Sequence, residues 1–416
     1  MGQRRVSRMT NGSVDLIDLP KQSDAVNAHL PETPFSTLDE LLALKVNNFD
    51  VGEAVYSSLA SAWWTNSVDV DFESPAVQAD IRDACTAGLF VYSEVKRMLE
   101  REHFDEAVVF NGRIATMRAF LRACEAVGVT YWVHERGANV GRFLRTRNAM
   151  PHERTSIAAS IRDSCAEVSY SEKASVAETF YNDRRRGIIH NWRSFTDDQL
   201  RDLLPPGLEP DTRVISLFLS TQSEMVGLGD EWRAGLYLSQ EVGVEHIAKT
   251  IIDAQQDVVV VIRAHPNQRN LPESVRIREF CDGYEGVIFV EPDSPVDSYA
   301  LIERSDRIVT FGSTIGVEAS YWGKPVISAH PAAYSGLGAV YEPNTHAELA
   351  ALLIQPDLEP LTPGGAVDFG YWRSTFGEPF QYAKENGVGG VVTFGGLPIQ
   401  SRARVLAGRI QRLLLT

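Results

Sequence analysis

Residues 305–330, SDRIVTFGSTIGVEASYWGKPVISAH, decide how the chain is read. Arg307 to Phe311 is a short apolar strand that runs into Gly312-Ser313-Thr314. A helix opens at once, and Gly323-Lys324-Pro325 turns the chain into a second strand, Val326 to Ala329. Gly312 permits a tight turn, and Ser313 and Thr314 are good N-cap residues. Free amides at a helix start, with the positive end of the dipole, make a seat for a phosphate. A strand-loop-helix at the C-terminal edge of a parallel sheet is where open α/β folds bind nucleotides. A well-capped helix without a ligand accounts for the same residues, so the rest of the chain has to decide.

Working outward, the second half alternates strands and helices. Strands are expected at Val214 to Leu219, Val258 to Arg263, Val287 to Val290, Arg307 to Phe311 and Val326 to Ala329, with helices at Leu236 to Ala254, Pro272 to Cys281, Val296 to Arg304 and Thr314 to Trp322. Val258 to Ile262 is five consecutive β-branched residues, as suits a strand covered on both faces. The alternation predicts a parallel, doubly wound, Rossmann-like sheet. In the first half, Ala107 to Phe110 and Thr130 to Val133 read as parallel strands joined by a helix, Ile114 to Val127. Long helices are expected over Val77 to Arg101 and Ser156 to Tyr181, and Val14 to Leu19 is a possible earlier strand. No glycine-rich opening loop is visible near Met1, and residues 20–75 show little periodicity apart from a helix near Leu38 to Val46. Leu203-Leu204-Pro205-Pro206-Gly207 marks a linker, Leu358 to Gly395 reads as irregular from its Gly and Pro, and Ser401 to Leu415 as an amphipathic helix. The expected division is 1–205, 206–380 and a tail, 381–416, crossing back to the first domain.

Composition narrows the function. The 416 residues carry 55 acids against 40 bases, a net charge of −15, which argues against a general nucleic-acid binder. Cys85, Cys124, Cys165 and Cys281 are scattered and read as buried thiols in a reducing compartment. No apolar run approaches the roughly 20 residues that span a bilayer, and no leader pattern is visible. A cytoplasmic protein is expected. Residues 134–193 hold ten arginines and Lys173 against seven acids, with Arg142, Arg145 and Arg147 in one cluster and Arg184, Arg185 and Arg186 in another. This 142–186 region is either a solvated helical face or a patch for an anionic acceptor or the inner face of a membrane. His152, His190 and His330 lack metal-ligand spacing, so no metal site is assigned. Trp63, Trp64 and Trp132 read as core or as acceptor-groove packing.

Two further loops belong to the same sheet edge. Arg263-Ala264-His265-Pro266-Asn267 ends the β-branched strand, where Arg263 and His265 could donate to phosphate oxygens or merely cap a loop. Ser220-Thr221-Gln222-Ser223-Glu224 follows the first strand, and its small hydroxyl residues suit either a ligand or a solvated turn. Loops after different strands of one parallel sheet converge on one edge.

With His265-Pro266 followed by Gly312-Ser313-Thr314, the chain resembles the C-terminal half of GT-B glycosyltransferases. The likeness is to capsule-polysaccharide-synthesis proteins above all, and more distantly to Kdo transferases and bacterial sialyltransferases. It covers about 200–356 well and Ala107 to Gly137 more loosely. The resemblance implies an α/β GT-B fold, two Rossmann-like domains with parallel sheets facing a cleft. It further implies that the histidine and the Ser/Thr loop hold the phosphate and ribose side of a nucleotide-sugar donor. Glu318, one turn after Thr314, would accept hydrogen bonds from ribose hydroxyls, unless it pairs with Lys324 or caps the helix.

Across the cleft, Asn111-Gly112-Arg113 and His134-Glu135-Arg136-Gly137 follow the two N-terminal strands. An inverting glycosyl transfer needs a group to take the acceptor hydroxyl's proton, for which Glu135 is the first candidate and His134 the second. An internal ion pair with Arg113 or Arg136 is the alternative for Glu135, while Asn111, Arg113 and Arg136 are candidates to position the acceptor or a phosphate. The expected function is sugar transfer from a nucleotide-activated donor to a surface or capsular glycan, or a lipid-linked one. The leaving phosphate would be stabilised by His265, Ser313 and Thr314, with no cofactor and no metal. The alternatives are a CDP-alditol phosphotransferase of teichoic-acid type, a nucleotide-sugar 2-epimerase and a non-catalytic GT-B scaffold.

Overall fold

A computed structural model describes residue 30 and residues 34–62, 69–139, 141–188, 198–254, 257–385, 391–394 and 397–398. The expected strand Val14 to Leu19, Trp63, Trp64, His190 and the expected helix Ser401 to Leu415 lie outside these residues.

The chain forms an α/β fold with two main sheets. The first half runs α1 (Leu38–Leu42), α2 (Val51–Ala62), α3 (Pro75–Arg101), β1 (Glu106–Phe110), α4 (Ala115–Val127), β2 (Thr130–Arg136), β3 (Arg142–Arg147), α5 (Arg154–Cys165) and α6 (Tyr170–Arg185). The second half runs β4 (Arg213–Phe218), α7 (Gln222–Val226), α8 (Asp230–Arg233), α9 (Gln240–Ala254), β5 (Val258–Arg263), α10 (Pro272–Asp282), β6 (Val287–Val290), α11 (Ser298–Arg304), β7 (Arg307–Phe311), α12 (Ile315–Tyr321), β8 (Val326–His330), α13 (His346–Ile354) and α14 (Gly364–Thr375). The chain then returns through β9 (Glu378–Pro379) and a small antiparallel sheet of β10 (Ala383–Glu385), β11 (Val391–Phe394) and β12 (Leu397–Pro398).

The C-terminal sheet is wholly parallel, in the order β6-β5-β4-β7-β8. β7 is buried along its whole length, and β4 along all but its first residue, because helices cover both faces. Val214 and Phe218 point into one core, and Ile215 and Leu217 into the other, as the two-residue period of a strand requires. The N-terminal sheet differs from the expected parallel one. β1 and β2 pair in parallel, but β3 and β9 extend the sheet in antiparallel fashion. The arginines of RFLRTR therefore lie on a strand. Arg142 donates through Nε to the Gly377 carbonyl at 3.0 Å, and Arg145 pairs with Glu378 at 2.6 Å. They fasten the returning chain.

Four further expectations are corrected. Ser156 to Tyr181 is not one helix: α5 ends at Cys165, and Ser169 caps α6 by accepting the Glu172 amide. Residues 20–75 contain α2, in which Val51, Ala54, Val55 and Leu59 recur at helical spacing and are buried, a period present in a region expected to show little. Leu358 to Gly395 contains α14 despite its glycines. The helix near Leu38 is also shorter than expected, ending at Leu42.

The close packing of α14 explains a glycine there. α14 lies against α6, and together with α5 these helices share a core with the C-terminal sheet through Ile161, Ala177, Tyr181, Phe369 and Trp372. A Cβ on Gly370 would sit 2.7 Å from Tyr181 Cε2 and 3.0 Å from Ala177 Cβ. The Tyr181 ring cannot give way, since it stacks on Tyr321 at 4.1 Å and donates to the Ala366 carbonyl at 2.6 Å. Among the described residues, no helix is long and apolar enough to cross a membrane. Chemical denaturation should find Gly370→Ala destabilised by about 1–3 kcal/mol. Gly364→Ala, whose added Cβ meets nothing within 4 Å, should stay within about 0.5 kcal/mol of the parent. Equal effects at the two positions would refute the packing argument.

Candidate functional site

Strand order reverses at β4, from which the chain builds outward through β5 and β6 on one side and through β7 and β8 on the other. Loops at such a point splay apart and leave a crevice at the carboxyl ends of the strands. Here a cavity of about 80 Å³ is lined by His265 and Pro266 after β5, Ser313 and Thr314 after β7, and Arg184 and Tyr299. Two loops singled out in the sequence thus meet in one space.

The side chains around it divide by what already holds them. His265 Nδ1 accepts the Asn267 amide at 3.1 Å and lies 3.2 Å from Thr221 Oγ1, while its own amide donates to Gln268 Oε1 at 2.8 Å. With Nδ1 accepting, a neutral ring carries its proton on Nε2. Burial, and then the Arg263 charge, pushes the imidazole down to about 4. Gly312 has φ 82°, and a Cβ there would stand 2.8 Å from the Pro331 carbonyl, so the turn requires glycine. Ser313 Oγ accepts the Ile315 amide at 3.3 Å, and the Ser313 carbonyl accepts Tyr334 OH at 2.6 Å. Thr314 is the N-cap residue by position but makes no side-chain cap bond.

Three of the expected donor-binding residues make internal ties, and of these Arg263 also lines the cavity. The Arg263 guanidinium donates to the carbonyls of Glu291 at 2.8 Å and Ser294 at 3.1 Å, which fixes the loop after β6. Ser220 Oγ donates to the Phe311 carbonyl at 2.5 Å, and its backbone is bracketed by the Gln240 amide group, stitching β4 to β7. Glu318 is about 1% exposed and does not line the cavity. Its carboxylate takes Arg184 at 3.1 Å and the Tyr299 hydroxyl, so it faces internal partners and not the cavity. Lys324, its expected partner, donates to the carbonyls of Glu303 and Ser305.

Arg184 was not among the sequence candidates for the donor side. It stands 134 residues from Glu318, and its neighbours Arg185 and Arg186 disguise it as part of a surface charge run. The ion pair with Glu318 keeps the guanidinium charged, against the cost of burial. It is thus a fixed cation at the cavity wall.

A second wall, outside the residues that line this cavity, comes from β1 and β2. Asn111 and Gly112 both have positive φ, 63° and 75°, and this double left-handed turn presents the Asn111 side chain at the strand end. Asn111 Nδ2 donates to Glu135 Oε2 at 2.6 Å and lies 3.2 Å from His152 Nε2. Glu135 Oε1 accepts the Arg136 amide at 2.9 Å, so neither alternative ion pair with the Arg113 or Arg136 side chain forms. The Arg136 side chain is exposed, and His134 tilts against Phe110. Arg113 donates to Ser61 Oγ at 2.9 Å, and its Nε finds no hydrogen-bond partner among the described residues. Burial lowers its pKa, opposed by the charges of Glu224 and then Glu135.

Glu224 and His152 are the other residues that sequence reasoning passed over. Glu224, on α7, accepts Asn267 Nδ2 at 3.4 Å and faces the charge of Arg113, so it links the His265 loop to the opposite wall. Burial raises its pKa. The signal was present in STQSE, but the short hydroxyl residues drew attention from the acid. α8 holds the two walls together: Trp232 Nε1 donates to the His152 carbonyl at 2.9 Å, Glu231 accepts the Arg154 amide at 2.6 Å, and Arg233 pairs with Glu53 at 2.9 Å.

The buried histidines give a pH signature. An unfolded imidazole titrates near 6.5, whereas folded His265 resists protonation until about 4. The unfolded chain therefore binds the extra proton first, and this contribution to stability is full above about 6.5 and declines as pH falls toward 4. His265→Gln should show a smaller fall in Tm between pH 7 and pH 4.5 than the parent, by differential scanning calorimetry. An equal fall would show that His265 is not the neutral group described.

Residues 233–356 match the family described as "Capsule polysaccharide biosynthesis protein". No curated protein matches the chain at a significant level. Among solved structures, the chain is similar to the beta Kdo 2,4 transferase of KpsC from Thermosulfurimonas dismutans, at 15% identity and TM-score 0.40, covering 64% of this chain and 78% of that one. It is also similar to the beta Kdo 2,7 transferase of the same KpsC, at 16% identity and TM-score 0.39, covering 67% and 80%. A third likeness is to the UDP-GlcNAc 2-epimerase of Methanocaldococcus jannaschii, at 13% identity and TM-score 0.29, covering 69% and 79%. The matched stretch 233–356 carries the His265-Pro266 loop and the Gly312-Ser313-Thr314 turn, and it is there that the chain is similar to capsule polysaccharide biosynthesis proteins.

Proposed function

We propose that the chain is a glycosyltransferase that moves a sugar from a nucleotide-activated donor to a surface or capsular glycan acceptor, free or lipid-linked. One observation carries the reading. The cavity that joins His265, Ser313 and Thr314 to the fixed cation Arg184 is built largely from the stretch that matches capsule polysaccharide biosynthesis proteins.

In this reading the nucleotide phosphates lie against Arg184, His265 and the two hydroxyls. As the sugar–phosphate bond breaks, negative charge grows on the departing phosphate, and a cation and donors already in place stabilise it without reorganising. Glu318 and Tyr299 serve by holding Arg184 at the wall. The charge is met by protein groups, so the reaction needs no divalent metal. Glu135 takes the acceptor hydroxyl's proton from the facing wall if configuration inverts. The buried free thiols Cys85, Cys124, Cys165 and Cys281 favour a reducing, cytoplasmic setting. A second acid near Arg113, Glu224, is the observation that favours the 2-epimerase alternative.

A thermal-shift series with CMP, CDP, UDP, GDP and dTDP tests the donor site, because a ligand that binds the native state raises Tm. At least one nucleotide should stabilise the parent, and Arg184→Gln should lose most of that shift relative to its own unliganded Tm. Transfer should persist in EDTA, and Glu135→Gln should lower it by about a hundredfold or more. No stabilisation by any nucleotide overturns the reading, and formation of a 2-epimer without acceptor moves it to the alternative.

A further inference from the structure

We propose that His152 is a positioning residue for Glu135 that acts through Asn111, so the orientation of the proton acceptor depends on a ring anchored to the opposite half of the molecule. This deepens the reading above and rests on it for the role of Glu135.

The hydrogen bonds leave little freedom. Asn111 Oδ1 accepts the Arg113 amide at 3.1 Å, a tight local turn that settles which way the side-chain amide faces. Its Nδ2 then directs one proton to Glu135 Oε2 and the other toward His152 Nε2. Nδ2 is a donor only, so His152 Nε2 must be bare and the ring proton must sit on Nδ1. Burial, and then the Arg113 charge, pushes the His152 imidazole down to about 4 against the pull of Glu135, which keeps the ring in that accepting form. Nε2 is 3.8 Å from Glu135 Oε2, too far for a direct hydrogen bond. The coupling runs through the amide.

The ring is located from outside the wall it serves. His152 follows Met150-Pro151, and its carbonyl accepts Trp232 Nε1 from α8. Two residues on, the Arg154 amide is held by Glu231 of the same helix. The imidazole is therefore placed by the C-terminal half while its Nε2 fixes an amide of the N-terminal half. Glu135 has its other oxygen on the Arg136 amide, so Asn111 supplies the second point that defines the carboxylate plane.

The test combines kinetics with a readout independent of turnover. His152→Phe keeps the ring's bulk and removes the acceptor. It should lower kcat for transfer about tenfold or more and leave KM for the donor nearly unchanged. His152→Gln, whose Oε1 can accept the Asn111 amide, should recover most of the loss. In a Glu135→Gln background, His152→Phe should add no further loss, as expected when two residues act as one unit. On the unaltered full chain, long-range ¹H–¹⁵N spectra should show His152 neutral with its proton on Nδ1 at pH 7.5. A proton on Nε2, or an undiminished loss in the Glu135→Gln background, overturns the proposal. If the parent transfers no sugar but the spectra show the Nδ1–H form, the functional reading fails while the hydrogen-bond assignment stands.

Discussion

The buried ion pair of Arg184 and Glu318, completed by the Tyr299 hydroxyl, is the contact on which the C-terminal site depends. It joins the end of α6 to α12 and α11, beside a second, more exposed ion pair between Arg185 and Glu303. A carboxylate about 1% exposed is tolerable only because two donors satisfy it. Removing one partner of such a pair typically costs about 3–5 kcal/mol, since the other charge is left stranded. A second arginine, Arg373 of α14, feels both charges, and burial lowers its pKa to about 9. The charge at the cavity wall is therefore part of the core's own electrostatics, not an addition to its surface.

How much of this was legible in the sequence follows from the range of each interaction. β5 announced itself because its five β-branched residues have one sensible environment, a strand covered on both sides. The turn at Gly312 was equally plain, since glycine followed by two hydroxyl residues before a helix is a local pattern with a local cause. α14 was hidden by the same logic working in reverse: Gly370 serves a close helix contact, and composition alone reads the glycines of this helix as breakers. β3 was hidden because its arginines bond to a segment more than 230 residues away.

The site divides along the same line. His265, Ser313 and Thr314 sit on short loops directly after strands, and the parallel sheet brought them together as strand ends must. Glu318 had the right spacing from Thr314, yet spacing on a helix says nothing about which face is sealed by a distant arginine. Glu224 and His152 required knowledge of how the two halves meet. His152 lacks metal-ligand spacing in the sequence, and in the structure its ring meets the Asn111 amide just beyond β1 while its carbonyl meets Trp232 of α8.

The return of the chain through β9 has a mechanical meaning. The polypeptide leaves the first sheet after β3 and comes back onto the free edge of that same strand, with Arg142 gripping the Phe376 and Gly377 carbonyls at the crossing. Both covalent tethers between the two sheets are therefore attached to one strand. Two tethers on a shared line allow rotation about that line and resist sliding or twisting across it. Through His152, Arg154 and Glu53, α8 adds a non-covalent tie to these two covalent ones.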